Sequence, residues 1–356
     1  MRPARTPARP HPASLLIGLL LPALLPGLLA ACAPPATPTL ATTQTITQSP
    51  AGPALHAQAT GSWVSGTYSS VYGARFYRLW VPAGYAGTPR PLMVMLHGCL
   101  QDGADFAAGT RMNTLADTRG FLVLYPEQGT LYNSADCWNW YLPGNQYRGA
   151  GEPAVIAGMI GWVESTYAVD SARVAVAGLS AGAAMANIMG CTYPDLIRGV
   201  ASVAGVMYQG ATTAAGGLNA MSYGSIYDPN GRGATCATEM GNRRRAMPTL
   251  VFQGSADPTV NPVNATQTLT QWAQANDLAD GTDNGDPDDT PDATLSGTAC
   301  CAYTRFDYRT AGGTTRLQRY SVTGMGHAWP GGSSAGTYTD PCAPDASTLI
   351  LNFFGF

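Results

Sequence analysis

The chain reads as one α/β domain, a mostly parallel central sheet with helices on both faces, and three observations predict it. Short apolar runs recur through residues 76–322 and alternate with stretches of helical periodicity, the pattern of buried strands joined by crossover helices. At 356 residues the chain can bury a large core, and 45% of it is apolar against 12% charged. The third observation is local. In Ala175-Val176-Ala177-Gly178-Leu179-Ser180-Ala181-Gly182 an apolar run stops at a glycine, and an alanine-rich helical pattern starts directly after the serine.

The N-terminus comes first in order. Arg2, Arg5 and Arg9 precede an uncharged apolar stretch, 13–31, that ends in Leu29-Ala30-Ala31-Cys32. A positive start, an apolar middle and small residues make an export signal. The layout resembles a bacterial lipoprotein signal, which implies lipidation of Cys32 as the new N-terminus. A plain cleaved signal and an uncleaved anchor are the alternatives, although Pro22, Pro26 and Gly27 weaken a spanning helix. Residues 33–60 carry no Asp, Glu, Lys or Arg and are rich in Pro, Thr and Ala, a tether rather than a core. The folded unit is expected over 61–356.

Within it, strands are expected at 76–81, 92–96, 121–125, 174–177, 200–204, 249–252 and 317–322. Helices are expected at 106–118, 153–167, 181–189 and 262–275, with Pro153 at a first helical position and Asn261 as an N-cap. Residues 206–247, rich in Gly, Ala and Tyr, resist assignment; long excursions of this kind form lids or substrate walls. The acidic stretch 276–292 lacks EF-hand spacing, so a solvated, mobile loop is expected ahead of a calcium site. Arg243, Arg244 and Arg245 read as a solvated face, with an anionic substrate group left open.

Net charge is −3, all 19 basic residues are arginine, and no long basic run occurs. Nucleic-acid binding has no support in this. Eight cysteines without a C-x-x-C pair point to disulfides rather than a metal site in an exported chain. Cys99 with Cys137, Cys191 with Cys236, and Cys342 with Cys300 or Cys301 are the expected pairs. If Cys32 carries lipid, one of the others stays free or pairs outside the chain.

Gly178-Leu179-Ser180-Ala181-Gly182 is a G-x-S-x-G between a strand and a helix, the context in which the motif presents a nucleophile. A serine hydroxyl needs a base within hydrogen-bond reach. Of the four histidines, His11 lies in the signal and His56 in the tether. His327 follows the last expected strand in a glycine-rich loop, where the base of an α/β-hydrolase lies. Asp257, in the turn after the 249–252 strand, is the expected acid that fixes the imidazole tautomer; Asp307 is the rival, within a stretch that itself looks like a strand. Backbone N–H groups of Ala181 and Cys99 are the expected oxyanion donors, with His97 orienting the Cys99 loop. Trp138, Trp140, Tyr141 and Trp329 are candidate walls of a substrate groove.

Leu96-His97-Gly98-Cys99-Leu100-Gln101, Tyr125-Pro126-Glu127-Gln128, the serine motif and Gly326-His327-Ala328-Trp329-Pro330-Gly331-Gly332 together resemble the polyhydroxybutyrate (PHB) depolymerase family of esterases. The resemblance extends through most of 61–356. It implies the α/β-hydrolase fold, the triad Ser180, Asp257 and His327, Cys99 and Ala181 at the oxyanion, a Cys99–Cys137 disulfide, and no cofactor. It implies an exported esterase acting on short-chain or hydroxyalkanoate esters, with feruloyl or acetylxylan esters of plant polysaccharides as the alternative. A serine peptidase of the same fold and a non-catalytic binding protein are the remoter readings. Members that degrade solid polymer often carry a further binding domain. The chain runs only about thirty residues past His327, so dissolved esters and oligomers are expected ahead of crystalline polymer.

Overall fold

The computed structural model describes residues 60–356. The expected export signal, Cys32 and the tether up to residue 59 lie outside the described residues. In chain order the elements are β1 (Ser62–Ser70), β2 (Gly73–Val81), β3 (Arg90–Leu96), α1 (Gly103–Thr110), α2 (Met112–Arg119), β4 (Leu122–Pro126), α3 (Gly151–Thr166) and β5 (Val169–Leu179). They continue with α4 (Ala181–Thr192), β6 (Gly199–Val203), α5 (Ala214–Tyr223), α6 (Pro229–Met240), β7 (Thr249–Gly254) and α7 (Val263–Asp277). Last come β8 (Ala293–Thr298), β9 (Ala302–Arg309), β10 (Thr315–Val322), the short pair β11 (Trp329–Pro330) and β12 (Thr339–Asp340), and α8 (Ala346–Phe354).

A 10-stranded sheet runs in the order β1-β2-β4-β3-β5-β6-β7-β10-β9-β8. From β4 to β10 neighbouring strands are parallel, and antiparallel strands extend both edges. Successive side chains of a strand face opposite layers, and the two cores divide accordingly. Leu92, Val94, Leu96, Val174 and Val176 pack with Val155, Ile160, Met185 and Trp272 from α3, α4 and α7. Met93, Met95, Ala175 and Ala177 pack with Phe106, Met112 and Ile350 from α1, α2 and α8. The fold is that of an α/β-hydrolase, with every parallel strand ending at the same edge.

Some local expectations are corrected. The helix expected at 106–118 is two helices, because Arg111 sits at φ 56, its N–H capping Ala107 O. Its guanidinium donates to Gly331 O at 2.7 Å, so a tertiary contact interrupts a locally helical sequence. Pro153 lies inside the first turn of α3 rather than at its first position. The N-cap of α7 is Pro262 rather than Asn261, although Asn261, one residue earlier, accepts the Val263 N–H on its Oδ1 at 3.0 Å. The acidic stretch 276–292 is more organised than a solvated loop. Buried Asp277 accepts the N–H groups of Asn284 and Asp286, Asp289 accepts from Thr270, and Asp292 accepts the Arg309 N–H. These carboxylates act as turn-forming acceptors, and among the described residues they form no three-ligand cluster.

Cys99–Cys137, Cys191–Cys236 and Cys300–Cys342 are disulfides. This is the cysteine usage of an exported chain in an oxidising compartment. Cys301 is buried beside Cys342. Among the described residues no helix is long and apolar enough to cross a membrane.

Candidate active site

Ser180 follows β5 and occupies the N-cap position of α4 with φ 57 and ψ −119. This positive φ is strained for any side chain. Close packing on both sides enforces it. A Cβ at Gly178 would lie 2.3 Å from the Gly182 backbone, and one at Gly182 would lie 2.0 Å from Leu96 O. Only glycine fits either place, so strand, turn and helix close tightly. The Ser180 N–H is held by Val203 O at 2.9 Å, leaving the hydroxyl to face the cavity. As the first residue of α4, Ala181 has an N–H without an intrahelical partner, at the positive end of the helix dipole.

His327 lies on the loop after β10 and Asp257 on the turn after β7. The His327 Nδ1 and Asp257 Oδ2 are 2.8 Å apart. Asp257 is fully saturated: Oδ2 also accepts Gln253 Nε2 at 2.9 Å, and Oδ1 accepts the N–H groups of Thr259 and Val260 at 2.8 and 2.9 Å. A carboxylate so held keeps the proton on Nδ1 and leaves Nε2 to accept one. Asp307 lies elsewhere. It is inside β9, paired with Arg305 and Gln318, so the rival acid does not meet His327.

The Cys99 loop adjoins the nucleophile: a Cβ at Gly98 would lie 3.5 Å from that of Ser180. His97 is fully buried. Its Nε2 accepts the Gln128 N–H at 3.0 Å, which assigns the ring proton to Nδ1 and its bond to Gly98 O at 2.7 Å. Burial holds its pKa below the usual imidazole value, and the Gly98 carbonyl opposes this. His97 therefore orients the loop and takes no part at the cavity.

One cavity of about 330 Å³ is bordered by Ser180, His327, Cys99, Ala181, Trp140, Tyr141, Leu100, Val206, Leu218, Met221, Val260 and Tyr338, among others. No Asp, Glu or Arg borders it. Trp140 is thus placed as expected, and α5, from the segment that resisted assignment, forms a wall. Trp138 and Trp329 are corrected to core residues. Trp138 is buried against His97, and Trp329 packs on Phe106 with its indole N–H on Ser347. Arg243, Arg244 and Arg245 do not border the cavity.

Sequence reasoning missed Glu152. It is 4% exposed and meets Arg75 at 3.4 Å. It also accepts from Gln128 Nε2, Asn139 N and Asn139 Nδ2, so it anchors the 128–141 segment that carries Trp140 and Tyr141. A glutamate in the first turn of a helix normally reads as a solvated dipole partner, and no local signal announces its burial.

A serine on a strained strand-to-helix turn, sharing a cavity with a carboxylate-braced histidine on a later loop, defines a serine hydrolase of the α/β-hydrolase class. The chain belongs to the esterase PHB depolymerase family, whose model matches residues 75–293. That match includes Ser180 and Asp257 and stops before His327. The poly(3-hydroxyalkanoate) depolymerase C of Paucimonas lemoignei is 33% identical over 273 residues, which is 76% of this chain and 62% of that protein. Feruloyl esterase B of Neurospora crassa is 30% identical over 78% of this chain and 86% of its own length. The acetyl xylan esterase structure from Aspergillus awamori superposes with a TM-score of 0.64 at 24% identity, covering 82% of this chain and 99% of that one. The chain spans about three fifths of the depolymerase's own length.

Proposed function

We propose that the protein is an exported serine esterase whose substrates are uncharged, apolar carboxylic esters of the short-chain or hydroxyalkanoate-oligomer type. The observation that carries this reading is the cavity wall, which brings no Asp, Glu or Arg side chain to the ester and much aliphatic and aromatic surface. Apolar pockets with few polar groups select apolar ligands. A glycan ester presents many hydroxyls, and the wall offers them only a few uncharged partners such as Asn133, Ser134 and Thr259, which favours the polyester reading over the plant-polysaccharide one. Ser180 Oγ attacks the ester carbonyl and His327 Nε2 takes its proton, while Asp257 stabilises the imidazolium. The N–H groups of Cys99 and Ala181 receive the oxyanion. His327 then protonates the departing alkoxide, and water, activated by the same imidazole, releases the acid. No step requires a cofactor. Export by the 1–32 segment, with lipid on Cys32 and 33–60 as tether, keeps the enzyme outside the cytoplasm and near the cell that made it.

The test is a substrate panel on the exported chain: p-nitrophenyl butyrate, soluble hydroxybutyrate oligomers, methyl ferulate and acetylated xylan at matched enzyme concentration. The expected order places oligomers and butyrate first. A preference for ferulate or acetylxylan overturns the substrate assignment, and failure of a fluorophosphonate to label Ser180 overturns the mechanism. Mass spectrometry of the membrane-extracted N-terminus tests the lipid.

A further inference from the structure

We propose that Leu100 and Tyr338 form a lip that grips the alcohol portion of the ester and sets the leaving-group preference; the inference rests on the esterase reading above. Both residues stand at positive φ, 62 and 51, in a region that disfavours bulky side chains. Both are nevertheless large, 57% and 39% exposed, and border the catalytic cavity. Strain of this kind persists only where the surroundings over-determine it, and it gathers where a side chain must be presented.

The surroundings do over-determine it. The Leu100 N–H donates to Ala135 O at 2.8 Å, and Cys99 before it is tied to Cys137. Buried Gln101 accepts the Gly98 N–H at 3.0 Å and donates to Thr337 O at 3.1 Å and Asp105 Oδ2 at 2.8 Å. The Thr337 N–H donates to Asp105 Oδ1 at 2.9 Å, and Tyr338 O accepts the Trp329 N–H at 2.7 Å. Gln101, a motif residue with no part in the chemistry, thus stitches the oxyanion loop to the histidine loop. Leu100 and Tyr338 flank the stitch on its two sides.

Their place decides which half of the ester they touch. The Tyr338 ring stands edge-on to the His327 imidazole, with centroids 6.3 Å apart. In acylation the Ser180 Oγ–carbonyl bond forms, the carbonyl–alkoxy bond breaks, and the serine proton passes through His327 to the departing alkoxide. The alcohol therefore leaves on the imidazole side, beside Tyr338, toward the edge where the Gln101–Thr337 bond joins the Leu100 and Tyr338 loops. The acyl chain falls to Trp140, Val206 and Met221. In a polyester the alcohol half is the remainder of the chain, so a gripping lip there favours extended substrates.

The test uses esters sharing a butanoyl group, so that every substrate gives the same acyl-enzyme and deacylation is common to all. In the exported chain, Leu100→Gly and Tyr338→Gly should each lower the benzyl-to-methyl ratio of kcat/KM by about tenfold. A second series, methyl esters with acyl chains from acetyl to hexanoyl, should keep its wild-type ranking. Glycine occupies positive φ readily, so thermal midpoints should hold or rise. Should either glycine variant fold poorly, Leu100→Asn and Tyr338→Asn, which tolerate the same backbone region, read the same ratio. An unchanged benzyl-to-methyl ratio, or an equal loss across the acyl series, overturns the lip. Absence of turnover on every ester by the wild type overturns the esterase reading instead.

Discussion

Replacing Asp257 by asparagine changes one atom in a site where every lone pair is in use. Oδ1 accepts two backbone N–H groups, from Thr259 and Val260, and Oδ2 accepts Gln253 Nε2 and His327 Nδ1. The new side-chain amide must keep its oxygen toward the two backbone donors, since the opposite orientation sets NH2 against both. Its NH2 then faces His327 Nδ1. The imidazole avoids that clash by moving its proton to Nε2, and Nε2 facing the serine becomes a donor instead of a base. Loss of the correct tautomer costs about 10⁴ in kcat in a triad of this kind, or roughly 5.5 kcal/mol of barrier. KM should change little, because substrate touches neither oxygen. The new NH2 also faces Gln253 Nε2, which loses its acceptor there, and this should cost about 1–3 kcal/mol of stability. The assay is initial-rate hydrolysis of p-nitrophenyl butyrate with active sites counted by fluorophosphonate, alongside thermal unfolding. A kcat loss under about tenfold would refute the assignment, as would Asp307→Asn abolishing turnover while Asp257→Asn spared it.

Three further outcomes are expected. Glu152→Leu leaves the Arg75 guanidinium buried without its partner and should cost about 3–5 kcal/mol, read from urea midpoints; a loss under about 1 kcal/mol would contradict the network drawn around Glu152. Cys99→Ser with Cys137→Ser frees the candidate oxyanion loop, so kcat should fall more than about tenfold in the folded protein. Cys191→Ser with Cys236→Ser, which frees only α4 from α6, should lower the thermal midpoint with kcat kept, and equal kcat losses would undo the distinction. His97 has a folded pKa below its unfolded value near 6.5, so the unfolded chain takes up that proton first. Its contribution to stability is full above about pH 6.5 and lost as pH falls from there through the depressed folded value. Urea midpoints should drop between pH 7.5 and pH 5, and drop less in His97→Asn; identical slopes would count against the buried neutral imidazole.

The parts of this fold legible in the sequence are those where one physical signal dominates. β3 to β7 carry apolar runs buried on both faces, so they stand out without any partner being known, and β10 is marked by Leu317, Tyr320 and Val322, buried among half-buried polar residues. The serine turn is legible because its glycines are required by contacts within a few residues. β1 was not foreseen: as an edge strand it alternates Ser, Thr and Gly with apolar residues and leaves one face to solvent, a pattern that also fits a polar loop. The tryptophans failed for a different reason. Trp138 and Trp140 lie two residues apart in an irregular loop, and which one meets the cavity depends on His97 and on α5, remote in sequence. Glu152 is the same case with a charge. Its partners Arg75 and Gln128 lie 77 and 24 residues away, and nothing within a helix turn of it distinguishes a buried carboxylate from a solvated one.

The site itself follows from the parallel sheet. Ser180 follows β5, Asp257 follows β7, His327 follows β10 and Cys99 follows β3, and parallel strands bring all four loops to one edge. Such convergence alone leaves each loop free to drift by more than the fraction of an ångström that catalysis tolerates. Each is instead tied by a different device: glycine close packing for the serine, backbone donors for the aspartate, a disulfide and buried His97 for Cys99, and Gln101 across to the histidine loop. Because no Asp, Glu or Arg side chain borders the cavity, the negative charge that develops on the ester oxygen meets little competing field. The candidate oxyanion donors, the N–H groups of Cys99 and Ala181 at the start of α4, would then act on it with little opposing charge nearby. A carboxylate placed on that wall, as in Met221→Glu, would set a like charge against the oxyanion, and should lower kcat more than KM even though Met221 stands apart from the triad.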